Sequence, residues 1–406
     1  MRRPPRPAQP LEHNILLTAT LALMALGAVM VFSASSGQGE GTGYLAKYVG
    51  FGALGFVVLQ LASRVPLEAV RRATGPLLLA SLVLLVAVKI PGVGLEVNGA
   101  RRWLGVGPLT FQPSELAKLA LVVYAASLLA KGPRRLRTLK GIVNPLLVVA
   151  GGLCVLVASQ PDLGTALVIG FTMAAMLVVA GAPLRHLTVL AGAGATVVML
   201  FALTAPYRRA RLVSFLDPWA DPAGAGFQSV QGQIALGSGG FLGLGPGQSV
   251  QKVFYLPEAH TDFILAVIGE ELGVAGVLVL LTLYAMVAYA GLRVAKGART
   301  AFASFLAAGL TSLILCQALL NVFTVLGLAP LTGVPLPFVS AGSTSITVLL
   351  AAVGLVLNVA APAHTHLRVV APRGGERPGG DADRDRGRRD GGARGARAVG
   401  RRRTAG

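Results

Sequence analysis

Apolar residues lie along this chain in long blocks that contain almost no charged residue. Each block runs for roughly 17 to 25 residues, the length that an α-helix needs to cross a ~30 Å hydrocarbon core. Within a block the apolar residues follow neither the period of an amphipathic helix nor that of a strand. The pattern therefore predicts an all-α, polytopic membrane protein.

The blocks predict about ten transmembrane helices. We place them at Asn14–Ala34, Tyr44–Leu61, Pro76–Ile90, Leu116–Ala130, Ile142–Ala158, Thr165–Ala180, Leu187–Thr204, Phe263–Leu292, Phe302–Leu326 and Ser343–Ala361. The loop before the eighth helix, Ala205–Thr261, is the longest, and such loops are usually functional or disordered. Its six anchoring aromatic residues favour function: Phe215, Trp219, Phe227, Phe241, Phe254 and Tyr255. Its glycine-rich run, Gly237–Gly247, would let backbone N–H groups approach a ligand.

Composition agrees with this prediction, since 54% of residues are hydrophobic and 13% are charged, against about 25% charged in an average soluble domain. The net charge of +19 would suggest nucleic acid in a soluble protein. Here, however, the basic residues concentrate in the two ends and in alternate loops, which the positive-inside rule assigns to the cytoplasm. We therefore expect no nucleic-acid partner and expect both termini to be cytoplasmic.

The chain divides into a cytoplasmic N-terminus (residues 1–13), a membrane domain (14–362) and a basic tail (363–406). The first apolar block has no small-residue cleavage site, so we interpret it as a retained helix. The Gly/Arg/Asp-rich tail cannot bury a core, and we expect it to be disordered and to contact anionic membrane lipid. Cys154 and Cys316 lie in apolar segments, where they indicate buried small side chains rather than a disulfide or a metal cluster.

Two predicted external loops carry arginines, against the charge trend. One holds Arg101 and Arg102, and the other holds Arg208, Arg209 and Arg211. Long loops can cross a membrane whatever their charge. Alternatively, these guanidinium groups face an anionic substrate, because arginine binds phosphate oxygens bidentately.

The densest group of ionisable residues is Glu258, His260 and Asp262, immediately before the eighth helix. Thr261 or Asp262 could simply cap that helix. A cap alone does not require three ionisable side chains within five residues. Such a cluster at the membrane boundary predicts a functional site.

Other ionisable residues allow two interpretations each. Glu115 and Lys118 share one helical face and could form an ion pair or line a site. Asp162 could cap the sixth span or bind a ligand. Glu270 and Glu271 lie about 12 to 14 Å deeper than Asp262 if the helix is regular. They need a cation from elsewhere, and Lys118 is a candidate.

These positions fall within motifs that resemble the SEDS family of bacterial shape, elongation, division and sporulation proteins. The matching segments are Asn98–Leu104 (NGARRWL) with Gln112–Glu115 (QPSE), Gln160–Thr165 (QPDLGT), Asp217–Trp219 (DPW), Gln251–Ile264 (QKVFYLPEAHTDFI) and Pro335–Ser340 (PLPFVS). They occur in order over most of the membrane domain. The segment around Asp262 is closer to the division members (FtsW) than to the elongation members (RodA).

The resemblance implies a ten-helix peptidoglycan glycosyltransferase of the bacterial inner (plasma) membrane. It would polymerise lipid II at the outer face beside a class B penicillin-binding protein and other division proteins. Asp262 matches the family's catalytic aspartate, and we assign it as general base. The predicted substrate-binding residues are Arg101, Arg102, Glu115, Lys118, Asp162, Lys252, Glu258 and His260. Among them the arginines and lysines are candidates for the pyrophosphate, and a divalent cation (Mg²⁺ or Mn²⁺) could share that role although no metal-ligand spacing is visible.

Three alternatives stay open. A lipid II flippase also suits ten helices, but it needs ionisable residues throughout the membrane depth, and here they concentrate at the outer boundary. An elongation polymerase of the RodA type would share the chemistry. An inert scaffold for division proteins would make Asp262 dispensable.

Overall fold

The computed structural model describes residues 10–37, 39, 41–97, 99–106, 109–132, 143–204, 206–253 and 255–361. The predicted disordered tail, residues 363–406, and most of the predicted cytoplasmic N-terminus therefore lie outside the described residues. Two residues within predicted motifs, Asn98 and Phe254, lie outside them as well.

The described ranges are mainly helical. The α-helices are α1 (Leu11–Ser36), α2 (Gly41–Ala62), α3 (Leu67–Arg72), α4 (Thr74–Ala87), α5 (Pro113–Leu129), α6 (Val148–Ala158), α7 (Leu163–Val179), α8 (Leu184–Leu203), α9 (Pro206–Leu216), α10 (Phe227–Ser238), α11 (Ile264–Gly297), α12 (Ala301–Val325) and α13 (Ser343–Ala360). A π-helical turn, Val143–Leu147, leads into α6. Each predicted span falls on one of these helices.

Six helices are long and apolar enough to cross a membrane, namely α1, α2, α8, α11, α12 and α13. Three shorter apolar helices cover Thr74–Ala87, Pro145–Ala158 and Leu163–Val179. The prediction of an all-α, polytopic membrane protein is confirmed, and the count of ten spans stays a prediction.

Burial divides the membrane helices into central and peripheral ones. In the most apolar stretch of α12 and of α13, 67% of residues are buried inside the protein, against 11% for α8. Helix α13 packs on α2, and α11 packs on both α1 and α12. The exposed apolar side chains of α8 suit contact with lipid, where they cost nothing to expose.

A small antiparallel sheet precedes α5 and was not predicted from the sequence. Its strands are β1 (Gly94–Val97), β2 (Ala100–Val106) and β3 (Leu109–Phe111), in the order β1-β2-β3. In the register of the first pair, Glu96 lies opposite Arg101. The strands are short and carry charge, so they show no clear alternation of apolar and polar residues. The sheet places Arg102 on its central strand, β2.

The long loop before α11 folds into α9, a 3₁₀ turn at Pro218–Ala220, and α10, followed by the glycine-rich run. This run packs along α11. The N–H groups of Leu244 and Gly245 donate to the carbonyls of Glu270 and Glu271 at 2.9 and 3.0 Å. The expectation that N–H groups of this run bind a ligand is therefore wrong for these residues, since they donate to the protein's own helix.

Candidate active site

Asp262 lies at the start of α11, where several motifs of the chain meet. The N-cap of α11 is Phe263, and no side chain caps the helix. The capping interpretation of Thr261 and Asp262 is therefore wrong. The Thr261 hydroxyl instead donates to the Glu258 carboxylate at 2.8 Å.

The loop between α12 and α13 holds the backbone around Asp262. The Asn321 amide donates to the carbonyl oxygens of Asp262 (2.7 Å) and Val334 (2.8 Å). Gly333 has a φ of +67°, and a Cβ there would lie 3.3 Å from an Asp262 carboxylate oxygen. Glycine at this position therefore permits both the backbone turn and the close approach of the carboxylate.

The loop between α12 and α13 is also hydrogen-bonded to the segment that contains Glu258, His260 and Asp262. The Ser340 hydroxyl donates to the Thr261 carbonyl at 2.6 Å, and the Ala341 N–H donates to the His260 carbonyl at 3.0 Å. The His260 ring lies against the Tyr44 ring of α2 with centroids 4.3 Å apart. The Pro335–Ser340 and Gln251–Ile264 motifs, joined here across 79 residues of sequence between Thr261 and Ser340, thus build one site.

Burial raises the pKa of Asp262 to about 7. The negative charges of Glu258 and Asp162 add to this increase, whereas the guanidinium groups of Arg211 and Arg102 oppose it. A carboxylic acid with a pKa near the working pH is suited to exchange protons with a substrate. Asp262 therefore has the electrostatic setting of a general base.

Arg102 and Asp162 form the second side of the site. The Arg102 Nε donates to the Gln160 carbonyl at 2.9 Å, and its terminal nitrogen contacts the Pro161 carbonyl. One Asp162 oxygen accepts the Thr165 N–H at 3.1 Å and caps α7, as one interpretation of this residue proposed. The other accepts from the Gln112 amide at 3.2 Å. The sheet and the start of α7 are thus joined next to Asp262.

Glu258 has backbone strain that fits a functional segment. Its φ is +54°, in the left-handed region that residues other than glycine rarely adopt. Such conformations persist only where the surrounding structure enforces them, and they concentrate at active sites. Glu258 is exposed to solvent, and its charge acts directly on Asp262.

The arginines of the external loops have different surroundings. Arg101 forms an exposed pair with Glu96 at 3.0 Å, and such pairs contribute little to stability. Arg208 stacks over the Phe201 ring, and Arg209 donates to the Leu203 carbonyl. Of the three arginines in α9, only Arg211 is among the charges that act on Asp262.

Lys118 and Glu115 form a buried ion pair at 2.9 Å, as one interpretation of these residues proposed. The Lys118 ammonium also donates to the side-chain amide oxygen of Gln317 at 2.8 Å. The Gln317 amide in turn donates to the Pro335 carbonyl of the α12–α13 loop at 3.0 Å. Through Gln317, the ion pair thus helps to hold the loop between α12 and α13 in position. The suggested pairing of Lys118 with Glu270 or Glu271 is wrong.

Lys252 provides the cation for Glu271. Its ammonium donates to the Glu271 carboxylate and the Gly247 carbonyl, both at 2.8 Å, and to the Ser33 hydroxyl at 3.0 Å. All three N–H groups of this buried side chain have acceptors. In this conformation Lys252 has no donor left for the pyrophosphate that the sequence analysis assigned to it.

Two residues of the site were underrated by sequence reasoning. Arg211 was considered only as one of a group of loop arginines, because its helix and the Asp262 loop are far apart in sequence. Asn321 was not considered at all. The available signal was a carboxamide within a mainly apolar span, which usually indicates a polar partner. Among the described residues, no group of three or more His, Cys, Asp and Glu side chains could hold a metal ion.

The model of the FtsW, RodA and SpoVE family, described as cell cycle protein, matches residues 13–365. A probable peptidoglycan glycosyltransferase FtsW from Nitrosococcus halophilus is 44% identical over 353 residues, which cover 85% of this chain and 91% of that protein. The stage V sporulation protein E of Bacillus subtilis is 39% identical over 350 residues, covering 85% and 96%. A chain from a solved structure on the coordination of polymerization and crosslinking by a peptidoglycan synthase complex aligns with a TM-score of 0.72 and 33% identity, covering 85% and 96%.

Proposed function

This chain belongs to the FtsW, RodA and SpoVE family of cell cycle proteins, and from that premise we propose that it is a peptidoglycan glycosyltransferase. It polymerises lipid II into glycan strands at the outer face of the plasma membrane during septal wall synthesis. The observation that supports this function best is the position of Asp262, a partly buried carboxyl group with a pKa of about 7 beside two guanidinium groups.

The reaction joins a sugar hydroxyl to an anomeric carbon that carries a polyprenyl pyrophosphate. Asp262 accepts the hydroxyl proton while the new C–O bond forms. The bond from the anomeric carbon to the phosphate oxygen breaks, and the pyrophosphate leaves with the electron pair. Arg102 and Arg211 supply the positive charge that stabilises this leaving group.

A divalent cation bound with the pyrophosphate stays a prediction. The described side chains offer no three-residue metal cluster, so no step above is assigned to a metal. Asp162 and Glu258 carry the nearest additional carboxylates acting on Asp262, but Asp162 is already engaged with Gln112 and Thr165.

The distribution of buried charge favours an enzyme over a flippase. A flippase needs polar groups that are available through the depth of the membrane. Here the deeper charges all have partners within the protein. Glu271 pairs with Lys252 and Glu115 pairs with Lys118, whereas Glu270 accepts from the Ser249 hydroxyl and from two backbone N–H groups. The carboxyl group with the perturbed pKa lies at one end of α11, where a sugar–lipid substrate could reach it from the outer surface.

We assign the chain to division rather than elongation because its Gln251–Ile264 motif resembles the division members, and because relatives with 38–44% identity are named FtsW. A class B penicillin-binding protein is the expected partner, in line with the solved synthase complex that the chain resembles. Other division proteins and the surrounding membrane lipid complete the expected partners.

The direct test is polymerisation of labelled lipid II by the purified full chain in lipid nanodiscs, with and without its transpeptidase partner. We expect glycan strands in the presence of the partner, and none from a matched Asp262→Asn protein. The same two proteins should be reconstituted in vesicles and tested for lipid II translocation. Translocation without polymerisation, unaffected by the Asn substitution, would replace this function with that of a flippase.

Orientation is tested by single cysteines placed in a background without Cys154 and Cys316. Ala223→Cys lies at an exposed position of the loop before α11, and Arg299→Cys lies at an exposed position between α11 and α12. With both termini in the cytoplasm, an impermeant thiol reagent should label only the first in intact cells. Labelling of Arg299→Cys alone would show that the orientation is the opposite of the proposed one.

A further inference from the structure

A cavity of about 240 Å³ lies beside the Asp262 site and has no role in the mechanism above. Its walls come from α9, the 3₁₀ turn, α10 and the loop after α12. Arg211 lines the cavity and is also one of the two cations acting on Asp262. The cavity and the reacting carboxyl group are therefore neighbours joined by one side chain.

An aromatic side chain is held at the rim of this cavity. Asp217 caps the 3₁₀ turn by accepting the backbone N–H of Trp219 at 3.2 Å, which holds the main chain at this position. Trp219 nevertheless stays 57% exposed, and Phe215 lies in the wall next to it. A tryptophan side chain that lines a cavity and is largely exposed offers a flat apolar face to a ligand.

The polar groups of the wall are mainly neutral and have unused hydrogen-bonding capacity. In the part of the chain that the structure describes, no hydrogen bond uses the Gln233 amide or the Ser229 hydroxyl, and both line the cavity. Gly327 has a φ of +73°, and a Cβ there would lie 2.7 Å from the Gln233 amide nitrogen. Because Gly327 has no side chain, the Gln233 amide has room at this position.

This combination fits a sugar better than a lipid tail or a phosphate. A lipid tail would leave the amide and hydroxyl unsatisfied, which is costly. A phosphate would find one cation, Arg211, which already donates to the Leu331 carbonyl at 3.3 Å. A sugar ring presents an apolar face for Trp219 and hydroxyl or acetamido groups for Gln233 and Ser229. The volume is below the roughly 300 to 1,000 Å³ of drug-sized pockets, which limits the ligand to about one ring.

We propose that the cavity lined by Trp219, Gln233 and Ser229 is a carbohydrate subsite that holds one N-acetylhexosamine ring of the glycan next to the reacting sugar. The proposal rests on the proposed function for the identity of the glycan. The subsite would hold the strand in register with Asp262 during successive additions.

The chain contains two tryptophans, Trp103 and Trp219, which permits a binding assay without turnover. In the full-length Trp103→Phe protein, Trp219 is the only tryptophan, and its fluorescence reports on the cavity. The protein is placed in lipid nanodiscs, because detergents with sugar headgroups would compete. It is titrated with chitotetraose, a soluble tetramer of N-acetylglucosamine, and with maltotetraose as the control sugar.

We expect a saturable change in Trp219 emission with chitotetraose and a much weaker response with maltotetraose. Adding Gln233→Ala should weaken binding about three- to tenfold, the usual value of one neutral hydrogen bond. Gln231→Ala is the matched control, since Gln231 lies on the same helix but does not line the cavity. An unchanged emission spectrum up to the solubility limit of the sugar, or equal weakening by both substitutions, would overturn the proposal.

This assay separates the subsite from the catalytic proposal because it needs no lipid II. Saturable binding by a protein that fails to polymerise lipid II would support the subsite and count against the enzyme assignment. Polymerisation of lipid II without any change in Trp219 emission would support the enzyme assignment and count against the subsite. In an active preparation, Trp219→Ala should also shorten the glycan strands relative to Trp103→Phe, and strands of equal length would contradict the role in elongation.

Discussion

Two carboxyl groups near the start of α11, those of Glu271 and Asp262, have opposite surroundings. At Glu271 the carboxylate accepts from Lys252 at 2.8 Å, from Gly247 at 3.0 Å and from Ser33 at 2.6 and 2.8 Å. Nine residues earlier in the sequence, before α11 begins, the Asp262 carboxylate accepts no hydrogen bond from any described residue and has a pKa raised to about 7.

The comparison shows how a structural charge differs from a reactive one. A buried carboxylate that accepts from a lysine ammonium and from several N–H and O–H donors acts as a structural charge, because its partners compensate for the loss of water. A carboxyl group that is partly buried, accepts no hydrogen bond from the protein and lies close to cations can change its protonation state near neutral pH. Both positions carry a carboxyl group, but Glu271 is more fully buried and has more hydrogen-bond donors, and these two differences separate the structural charge from the candidate base.

The strongest test of this difference is Asp262→Asn. Asparagine keeps the size of the side chain but cannot accept the hydroxyl proton, so polymerisation of lipid II should fall by about 10² to 10⁴. The backbone hydrogen bond from Asn321 to residue 262 uses the main chain and should survive. Turnover is measured together with thermal denaturation and co-purification of the transpeptidase. Near-normal turnover would remove Asp262 as the base and direct attention to Glu258.

The second test concerns the Glu271 carboxylate, which has several hydrogen-bond donors. Lys252→Met leaves the buried Glu271 carboxylate without its cation, which should cost about 3 to 5 kcal/mol of stability. The thermal midpoint of the purified protein should fall strongly, and the fraction that stays folded should keep the raised pKa of Asp262. The double variant Lys252→Met with Glu271→Gln should recover much of the loss, because no unpaired charge then remains.

The exposed Arg101 and Glu96 pair supplies the control for this test. Both side chains are about half exposed, at 44% and 54%, and exposed pairs are usually worth about 0 to 1 kcal/mol. Arg101→Met should therefore leave the thermal midpoint nearly unchanged. A fall as large as that of Lys252→Met would mean that burial does not explain the cost at Lys252.

Much of the fold could be predicted from the sequence because lipid imposes a simple rule on it. A spanning helix must be apolar over a fixed length, and each block that met this rule corresponds to a helix here. The sheet from Gly94 to Phe111 was missed because its stability depends on cross-strand partners rather than on a local pattern. The order of the motifs also located Asp262 without any knowledge of its contacts.

The partners of the charged residues could not be predicted in the same way. Lys118, Lys252 and Glu271 are equally polar in the sequence, but which cation meets which carboxylate depends on helix packing. The ion pair of Lys118 with Glu115 is local, at a spacing of three residues, and was among the interpretations. The pairing of Lys252 with Glu271 depends on the glycine-rich run turning back onto α11, which no local pattern encodes.

The last and smallest effect is a pair of opposite shifts in the pH profile. If Asp262 is the base, kcat/KM for lipid II should rise with pH through about pH 7, because the carboxyl group must lose its proton before it can act. The charge of Arg211 lowers the pKa of Asp262, and that of Glu258 raises it. Arg211→Gln should therefore move the midpoint of the profile to higher pH, and Glu258→Gln should move it to lower pH.

The direction of each shift is independent of how far either substitution lowers the maximal rate, so a binding role for these residues does not obscure the result. Arg102 and Asp162 also act on Asp262 and remain in both variants. Arg209→Gln is the matched control, because Arg209 lies on the same helix but donates to the Leu203 carbonyl and should leave the midpoint in place. Shifts of the same sign for Arg211→Gln and Glu258→Gln would show that the profile follows a group other than Asp262. Opposite shifts would tie the rate to the carboxyl group of Asp262, which accepts no hydrogen bond from the described residues.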